Sequence, residues 1–343
     1  MTIDGARAAV QNPSICYATM AASFQYVPLT DIALDDYTFI VTYRPEMHTL
    51  QRSVTRAGVL TPLHLRQAPG LERLQVVCGS KRLQACQQAG HTMVPALVHG
   101  AAELSDESAF LLAVYDNLGC RVLNAVEKAR ILRRLRDDFH YAVATLIEVF
   151  CPLLDLPPRS ETLEAYCTLA ALDDALQAAA VEGTLPLDTA LWIDQHAAAD
   201  RQALLTLFTG LKVGSNRARE LATYIDEICR RDDCSATALL QRLGLPATLA
   251  DAQLAGPQQL ERVRRVLHTA RYPRFSAHEQ RFQDSLRRLR LPSQVSLRPP
   301  PYFEGQHYQV TFGFRTRQEL QQYAQRLLDA AATEALDDLL SLL

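Results

Sequence analysis

The sequence predicts an α+β protein in three parts, and three observations carry that reading. Short β-branched and aromatic runs alternate with helical patterns up to about Val98. Helical periodicity alone runs from Ser105 to about Leu291. Two strand-like runs around a proline-rich turn then follow, with a helical pattern on either side. The parts are a small α/β N-terminal domain, an all-α middle region and a C-terminal α-β-β-α unit. Their expected spans are 23–120, 121–268 and 269–343, behind a flexible arm over 1–22.

Each element has a local reason. FQYVPL and TFIVTY read as short strands, rich in β-branched and aromatic residues. MHTLQRSVTRAG places Met47, Leu50 and Val54 at helical spacing and stops on Gly58. PLHLR, RLQVVC and MVPALV read as strands, with a helix over Ser80–Ala89 before the last. Beyond Ser105, helices are expected at 106–118, 125–139, 142–153, 160–180, 186–197, 199–210, 215–231, 235–243, 257–268 and 277–290. The breaks between them, among them DLPPRS, EGTLP, KVGSN and GLPATL, are rich in glycine, proline and polar residues. SQVSLR and HYQVTFGF read as strands around the turn PPPYFEG. The closing helix TRQELQQYAQRLL has Thr316 at its N-cap and Glu319 three residues on, the spacing of a capping box.

Composition narrows the function classes. The 343 residues are 48% apolar, enough for real cores and too many for a disordered chain. The net charge of −3 excludes a general polycation, so any nucleic-acid contact must come from a local patch. The eight cysteines are scattered, with no CxxC pair and no histidine at zinc-ligand spacing. That argues against a structural metal site and for a reducing compartment. The N-terminus lacks an apolar signal core, and no run of about 18 apolar residues occurs. A soluble, cytoplasmic protein without a membrane partner is expected.

The chemistry-bearing stretch is VVCGSKRLQACQQAG, Val76 to Gly90. A strand enters a glycine and two bases, and a helix starts there. Helix N-termini carry unsatisfied N–H groups and partial positive charge. A glycine lets an anion approach the backbone, and Lys81 and Arg82 add formal charge. The competing reading is a plain strand-to-helix turn with two solvated bases.

The order FQYVPLTDI, LQRSVTRAGVLTPLHLR, LQVVCGSKRLQACQQAGHTMVPALV and YDNLGCRVLNAVEKARIL resembles the ParB/sulfiredoxin superfamily. More closely, it resembles the N-terminal nucleotide-binding domain of ParB chromosome-partitioning proteins. The family's Gly-Glu-Arg-Arg-x-Arg-Ala box is matched by Gly79 to Ala85. Its Glu-Asn-x-x-Arg box, leading into Leu-Asn-Pro, is matched by Asp116, Asn117 and Leu123-Asn124. Its Gly-x-x-x-Pro segment is matched by Gly58 to Pro62. The resemblance implies a bacterial, dimeric DNA clamp, cytoplasmic and nucleoid-associated, that closes on binding CTP with magnesium. Carried over by position, Gly79, Ser80, Lys81 and Arg82 would hold the phosphates, and Gly58, Thr61 and Pro62 would lie near the base. Asp116 and Asn117 would supply oxygen ligands for magnesium, a hard cation.

The departures from the pattern have consequences. Ser80 replaces the glutamate implicated in hydrolysis, and Gln84 replaces an arginine. Cys120 replaces the arginine of the second box, with Arg121 adjacent as its substitute, and Asp116 is one methylene shorter than glutamate. Nucleotide binding with at most weak CTPase turnover is therefore expected. The sulfiredoxin branch places a catalytic cysteine near Ser80, where this chain has none; Cys78 sits on the strand before it.

In ParB proteins a DNA-reading helix-turn-helix follows. Here that segment is TLIEVFCPLLDLPPRSETLEAYCTLAAL, with Glu161 and Glu164 where phosphate would have to approach, and acids outnumber bases over 151–230. A degenerate helix-turn-helix without sequence-specific reading is expected. Arginines gather instead over 262–298. Arg281, Arg287, Arg288 and Arg290 can share helical faces and are the candidates for non-specific DNA binding, against the reading of a solvated face. The C-terminal unit resembles the ParB dimerisation domain. Its strand carries Tyr308, Val310, Phe312 and Phe314 in alternation, and a homodimer over about 277–328 is expected. The leading functional expectation is a CTP-responsive switch that binds DNA or a partner protein. The alternatives are a nucleotide-independent interaction scaffold descended from ParB, and a phosphotransferase or nuclease on the same fold.

Overall fold

The computed structural model describes residues 22–100 and 102–342, so the arm expected over 1–22 falls, save its last residue, outside the described residues. The chain divides into two compact units. The first runs to Arg201 and includes Lys212–Ser215; the second comprises Gln202–Leu211 and Asn216–Leu343.

The first unit opens with a mixed four-stranded sheet: β1 (Ala22–Pro28), β2 (Leu63–Arg66), β3 (Gln75–Cys78) and β4 (Met93–His99), in the order β1-β4-β2-β3. β1 is antiparallel to β4, β4 parallel to β2, and β2 antiparallel to β3. The parallel pair requires a crossover, and the chain makes it through β3 and α2 (Ser80–Gln88). α1 (His48–Ala57) ends on Gly58, whose φ of +67° and ψ of −164° suit glycine alone. Val54, Leu63, Leu65, Val76, Leu83 and Val94 form one core with these elements. β3 is buried on both faces, because its next residues, Val77 and Cys78, belong to a second core.

That second core is helical. It is built on α3 (Asp106–Cys120) and α4 (Ala125–Asp137) and takes in Phe110, Ile131, Leu132, Phe150 and Leu163. Helix α5 covers 143–153 and contains one π turn at Leu146–Phe150. α6 (Ser160–Leu169), α7 (Asp174–Val181) and α8 (Leu187–Asp194) follow, and α9 (Ala198–Leu211) is shared between the units.

Three expectations are corrected here. TFIVTY lies in no strand. Phe39, Val41 and Tyr43 are buried in alternation, which is the signal that suggested one. Their backbone is met by side chains instead of a ladder. The Tyr43 amide donates to Glu127 Oε1 (2.9 Å), its carbonyl accepts from Asn124 Nδ2 (3.2 Å), and Arg134 donates to the Thr38 carbonyl. The helix expected over 160–180 breaks into α6 and α7, because buried Gln177 donates its amide to the carbonyls of Leu169, Ala170 and Leu172 and so caps the end of α6. GLPATL, read as a break, holds a short helix, Leu245–Ala250; Gly244 is left-handed before it, and a proline is tolerated in a first turn.

In the second unit α10 (Ser215–Asp232), α11 (Ala236–Arg242), α12 (Leu245–Ala250), α13 (Gly256–Arg271) and α14 (Pro273–Leu289) precede the hairpin β5 (Val295–Arg298) and β6 (Gln309–Phe312). The hairpin registers Val295 with Phe312 and Arg298 with Gln309. α15 (Arg317–Ala331), begun by the Thr316 hydroxyl accepting from the Glu319 amide, and α16 (Glu334–Leu340) complete it. Phe282, Leu289, Ala330 and Leu339 form its core, and the Tyr308 hydroxyl donates to the Leu339 carbonyl (2.7 Å). The architecture is the predicted one: a small α/β sheet region, a mostly helical region and a C-terminal two-stranded sheet. Among the described residues no helix is long and apolar enough to cross a membrane.

Candidate phosphate-binding site

β3 delivers the chain to Gly79, whose φ of +95° turns it into α2; the Gly79 carbonyl accepts the first helical bond, from the Leu83 amide (3.0 Å). A Cβ on Gly79 would stand 3.0 Å from Leu63 Cγ and 3.2 Å from Arg82 Cζ. The glycine is therefore needed both for its dihedral and for the space that the guanidinium occupies. Arg82 uses that space to reach the loop before β2, donating to the carbonyls of Thr61 (2.6 Å) and Pro62 (2.8 Å). Its other nitrogen lies 3.6 Å from Asp116 Oδ2 on α3. One arginine thus brings three of the predicted segments together: Thr61 and Pro62, the Gly79 turn, and Asp116. Gly58 stands at the start of the same loop. Arg82 is not the freely solvated residue that a helix start suggests, because its side chain is only 18% exposed.

Lys81 faces another way. With Ser80 and Gln84 it lines a cavity of about 310 Å³ that Thr42, Tyr37 and Asp36 complete from the 36–45 segment. Burial, and secondarily the Arg121 charge, hold the Lys81 ammonium below its ordinary range, with Glu127 opposing them. No acid pairs with it among the described residues. Arg121, by contrast, is fully engaged: Nε donates to Asn117 Oδ1 (2.9 Å), one terminal nitrogen to Glu127 Oε2 (2.6 Å) and the other to Thr42 Oγ1 (3.2 Å). Glu127 is 1% exposed and also accepts from the amides of Asn124 and Tyr43. Sequence reasoning missed Thr42 and Glu127. The Asn124-x-x-Glu127 spacing is a visible capping-box signal, but nothing local says that the same carboxylate also holds Arg121 and Tyr43.

The metal expectation meets this geometry directly. Asp116 faces Arg82, and the Asn117 amide oxygen faces Arg121 while its nitrogen donates to the Ala113 carbonyl (2.8 Å). No group of three or more His, Cys, Asp or Glu residues that could hold a metal converges among the described residues. By themselves these oxygens, each turned to a cation, do not make a magnesium site. Behind the turn, burial first and the Asp116 carboxylate second push the Cys78 thiol up, which leaves it a poor nucleophile.

The predicted DNA contacts all stand on α14 or at its C-terminal cap. Arg287 pairs with Asp284 and Arg288 with Asp338; Arg290 caps α14 with a φ of +47°. Arg281 is exposed. On α6, Glu161 and Glu164 are exposed, the latter 3.9 Å from Arg136.

A mixed sheet whose strand-to-helix turn carries a left-handed glycine and two bases marks the first unit as a small α/β domain. Comparison with known proteins makes the assignment specific: residues 18–118 match the ParB N-terminal domain, so the chain is ParB-like over this region. A probable chromosome-partitioning protein ParB of Neisseria meningitidis serogroup A is 33% identical over 102 residues, 30% of this chain and 34% of the relative. The corresponding protein of Pseudomonas putida is 32% identical over 116 residues, 34% of this chain and 39% of the relative. The matched stretch therefore spans little more than a third of these relatives. A crystal structure of C-terminally truncated ParB from Caulobacter crescentus complexed with CTP-gamma-S aligns with 54% of this chain and 98% of that one, at 26% identity and a TM-score of 0.26.

Proposed function

We propose that this protein is a CTP-responsive, DNA- or partner-binding relative of chromosome and plasmid partitioning factors, a cytoplasmic homodimer with slow or absent hydrolysis. One observation carries the reading. The Thr61–Pro62 loop, the Gly79 turn and Asp116 meet at a single guanidinium, Arg82, at the N-terminus of α2. The amides that a helix start leaves without intrahelical partners, the helix dipole, and the Lys81 ammonium in the adjoining cavity favour a polyphosphate at this end of α2. Magnesium would come as the triphosphate's counter-ion, with Asp116 and Asn117 as the protein oxygens offered to it. Ser80 lines the neighbouring cavity and cannot activate water as a carboxylate does.

The test is a calorimetric titration of CTP, ATP, GTP and UTP with magnesium, with phosphate release assayed on the same sample. CTP is expected to bind most tightly and to be turned over slowly. Lys81→Ala is expected to weaken CTP roughly tenfold, the scale of one charge-assisted hydrogen bond, and Ser80→Glu to raise turnover. Equal heats from all four triphosphates, or none, would remove the nucleotide from the proposal. A nucleotide-independent scaffold would then stand in its place, a reading favoured by the internal partners that already satisfy Arg82 and Arg121.

A further inference from the structure

The turn PPPYFEG between β5 and β6 holds two adjacent aromatic residues in the left-handed region, Tyr302 at φ +57° and Phe303 at φ +59°. Non-glycine residues avoid this region, and consecutive ones cost energy that the surroundings must offset. Hydrogen bonds from the Phe303 and Glu304 amides to the Pro300 and Pro301 carbonyls, both 3.0 Å, fix the turn. The outcome is an aromatic surface in the second unit. Phe303 packs edge-on against Phe275 (5.9 Å between ring centroids) and Phe282 (5.8 Å). Tyr302 lies 6.2 Å from Phe275 yet remains 78% exposed. With His268 and Tyr272, the rings of Phe275, Tyr302 and Phe303 line an open cavity of about 660 Å³.

The rim of the cavity is charged in a specific way. Arg274 and His278 on α14 border it, and Arg281 stands one turn further along the same stripe, at the i, i+4, i+7 spacing. Both arginines are exposed. Neither has an ion pair among the described residues, whereas nearby Arg264, Arg271, Arg287 and Arg288 pair with Glu220, Glu227, Asp284 and Asp338. Among the described residues, Glu304 is the one carboxylate lining the cavity.

An exposed tyrosine in an aromatic pocket, beside a row of unpaired cations, has the chemistry that stacks an unpaired base and meets its phosphates. A duplex offers phosphates but keeps its bases stacked on each other. A carboxylate on the rim accepts from an exocyclic amine, which cytosine has and thymine lacks. We propose that this cavity binds single-stranded nucleic acid, stacking one base on Tyr302 with the flanking phosphates on Arg274 and Arg281, and that Glu304 favours cytosine over thymine. This site is independent of the nucleotide site in the first unit.

The full chain is tested by fluorescence anisotropy at low salt with labelled oligo(dC), oligo(dT) and a duplex, each roughly twelve nucleotides long, about the site size of single-strand-binding modules. Oligo(dC) is expected to bind more tightly than either competitor. Tyr302→Asn, which tolerates the left-handed backbone but removes the ring, is expected to weaken oligo(dC) roughly fivefold or more while leaving duplex binding unchanged. Tyr302→Phe keeps the ring and is expected to keep binding, which separates lost stacking from a damaged turn. Arg274→Ala with Arg281→Ala is expected to lower the salt dependence. The proposal is overturned if no oligonucleotide binds, if the duplex binds as well as oligo(dC), or if Tyr302→Asn leaves oligo(dC) unaffected. It is equally overturned if a proline-rich peptide, rather than the oligonucleotide, proves to be the ligand that Tyr302→Asn releases.

Discussion

At the scale of the residue, Gly79 combines a left-handed backbone with a space that Arg82 fills. Gly79→Ala therefore brings strain and displaces the guanidinium at once. It is expected to cost about 1–3 kcal/mol in urea unfolding, more than a solvent-exposed glycine at a similar dihedral. Close by, His64 Nδ1 and His99 Nε2 stand 3.1 Å apart in stacked rings. Burial holds both imidazoles below the usual range. The neighbouring His99 and Arg82 lower His64 further while Asp116 opposes them, and Glu103 opposes the shift on His99. Both rings are thus held neutral by folding, and the unfolded chain takes up protons first. Their contribution is complete above the unfolded value of about 6.5 and is lost as pH falls through the depressed folded values. The urea midpoint is expected to drop between pH 7 and pH 5, and His64→Gln to flatten that slope.

At the scale of the element, the boundary between α6 and α7 rests on a single amide. Gln177→Ala leaves the carbonyls of Leu169, Ala170 and Leu172 without that donor in a buried corner. The expected loss is about 1–3 kcal/mol, read as a lowered thermal midpoint. The same corner shows what a sequence can and cannot disclose. The sheet strands, α1, α2 and the capped α15 were legible because their signals are local: period, cap and turn. The Gly79 turn and its two bases were legible for the same reason. The split at Ala170 was not, since helical periodicity continues through it and the capping group comes from the next helix. TFIVTY misled because alternation reports burial on one side, and helices can supply that side as well as a sheet can. At the candidate site the motif segments that Arg82 joins are marked in the sequence, while Thr42 and Glu127 are not; they reach Arg121 only through the tertiary fold.

At the scale of the whole molecule, the C-terminal unit is proposed as the dimer contact. Ala330 is the one buried residue of α15, and Leu328 is 65% exposed. On and beside β6, Val310 and Phe314 are exposed as well, in a sheet of only two strands. A hairpin and helix so sparsely covered gain by pairing with a second copy. Light scattering of the full chain at micromolar concentration is expected to give twice the 38.2 kDa chain mass. Val310→Glu combined with Leu328→Glu alters only exposed positions and is expected to give the monomer with an unchanged circular dichroism spectrum. A monomeric wild type would remove this contact from the proposal.

Because the Tyr43 amide donates to a carboxylate on α4 and not to a neighbouring strand, its deuterium uptake reports the opening of the α3–α4 corner instead of the sheet. Arg121→Ala, by loosening Glu127, is therefore expected to speed exchange at Tyr43 and Asn124 together, while the amides of Val76 and Val94 exchange as slowly as before.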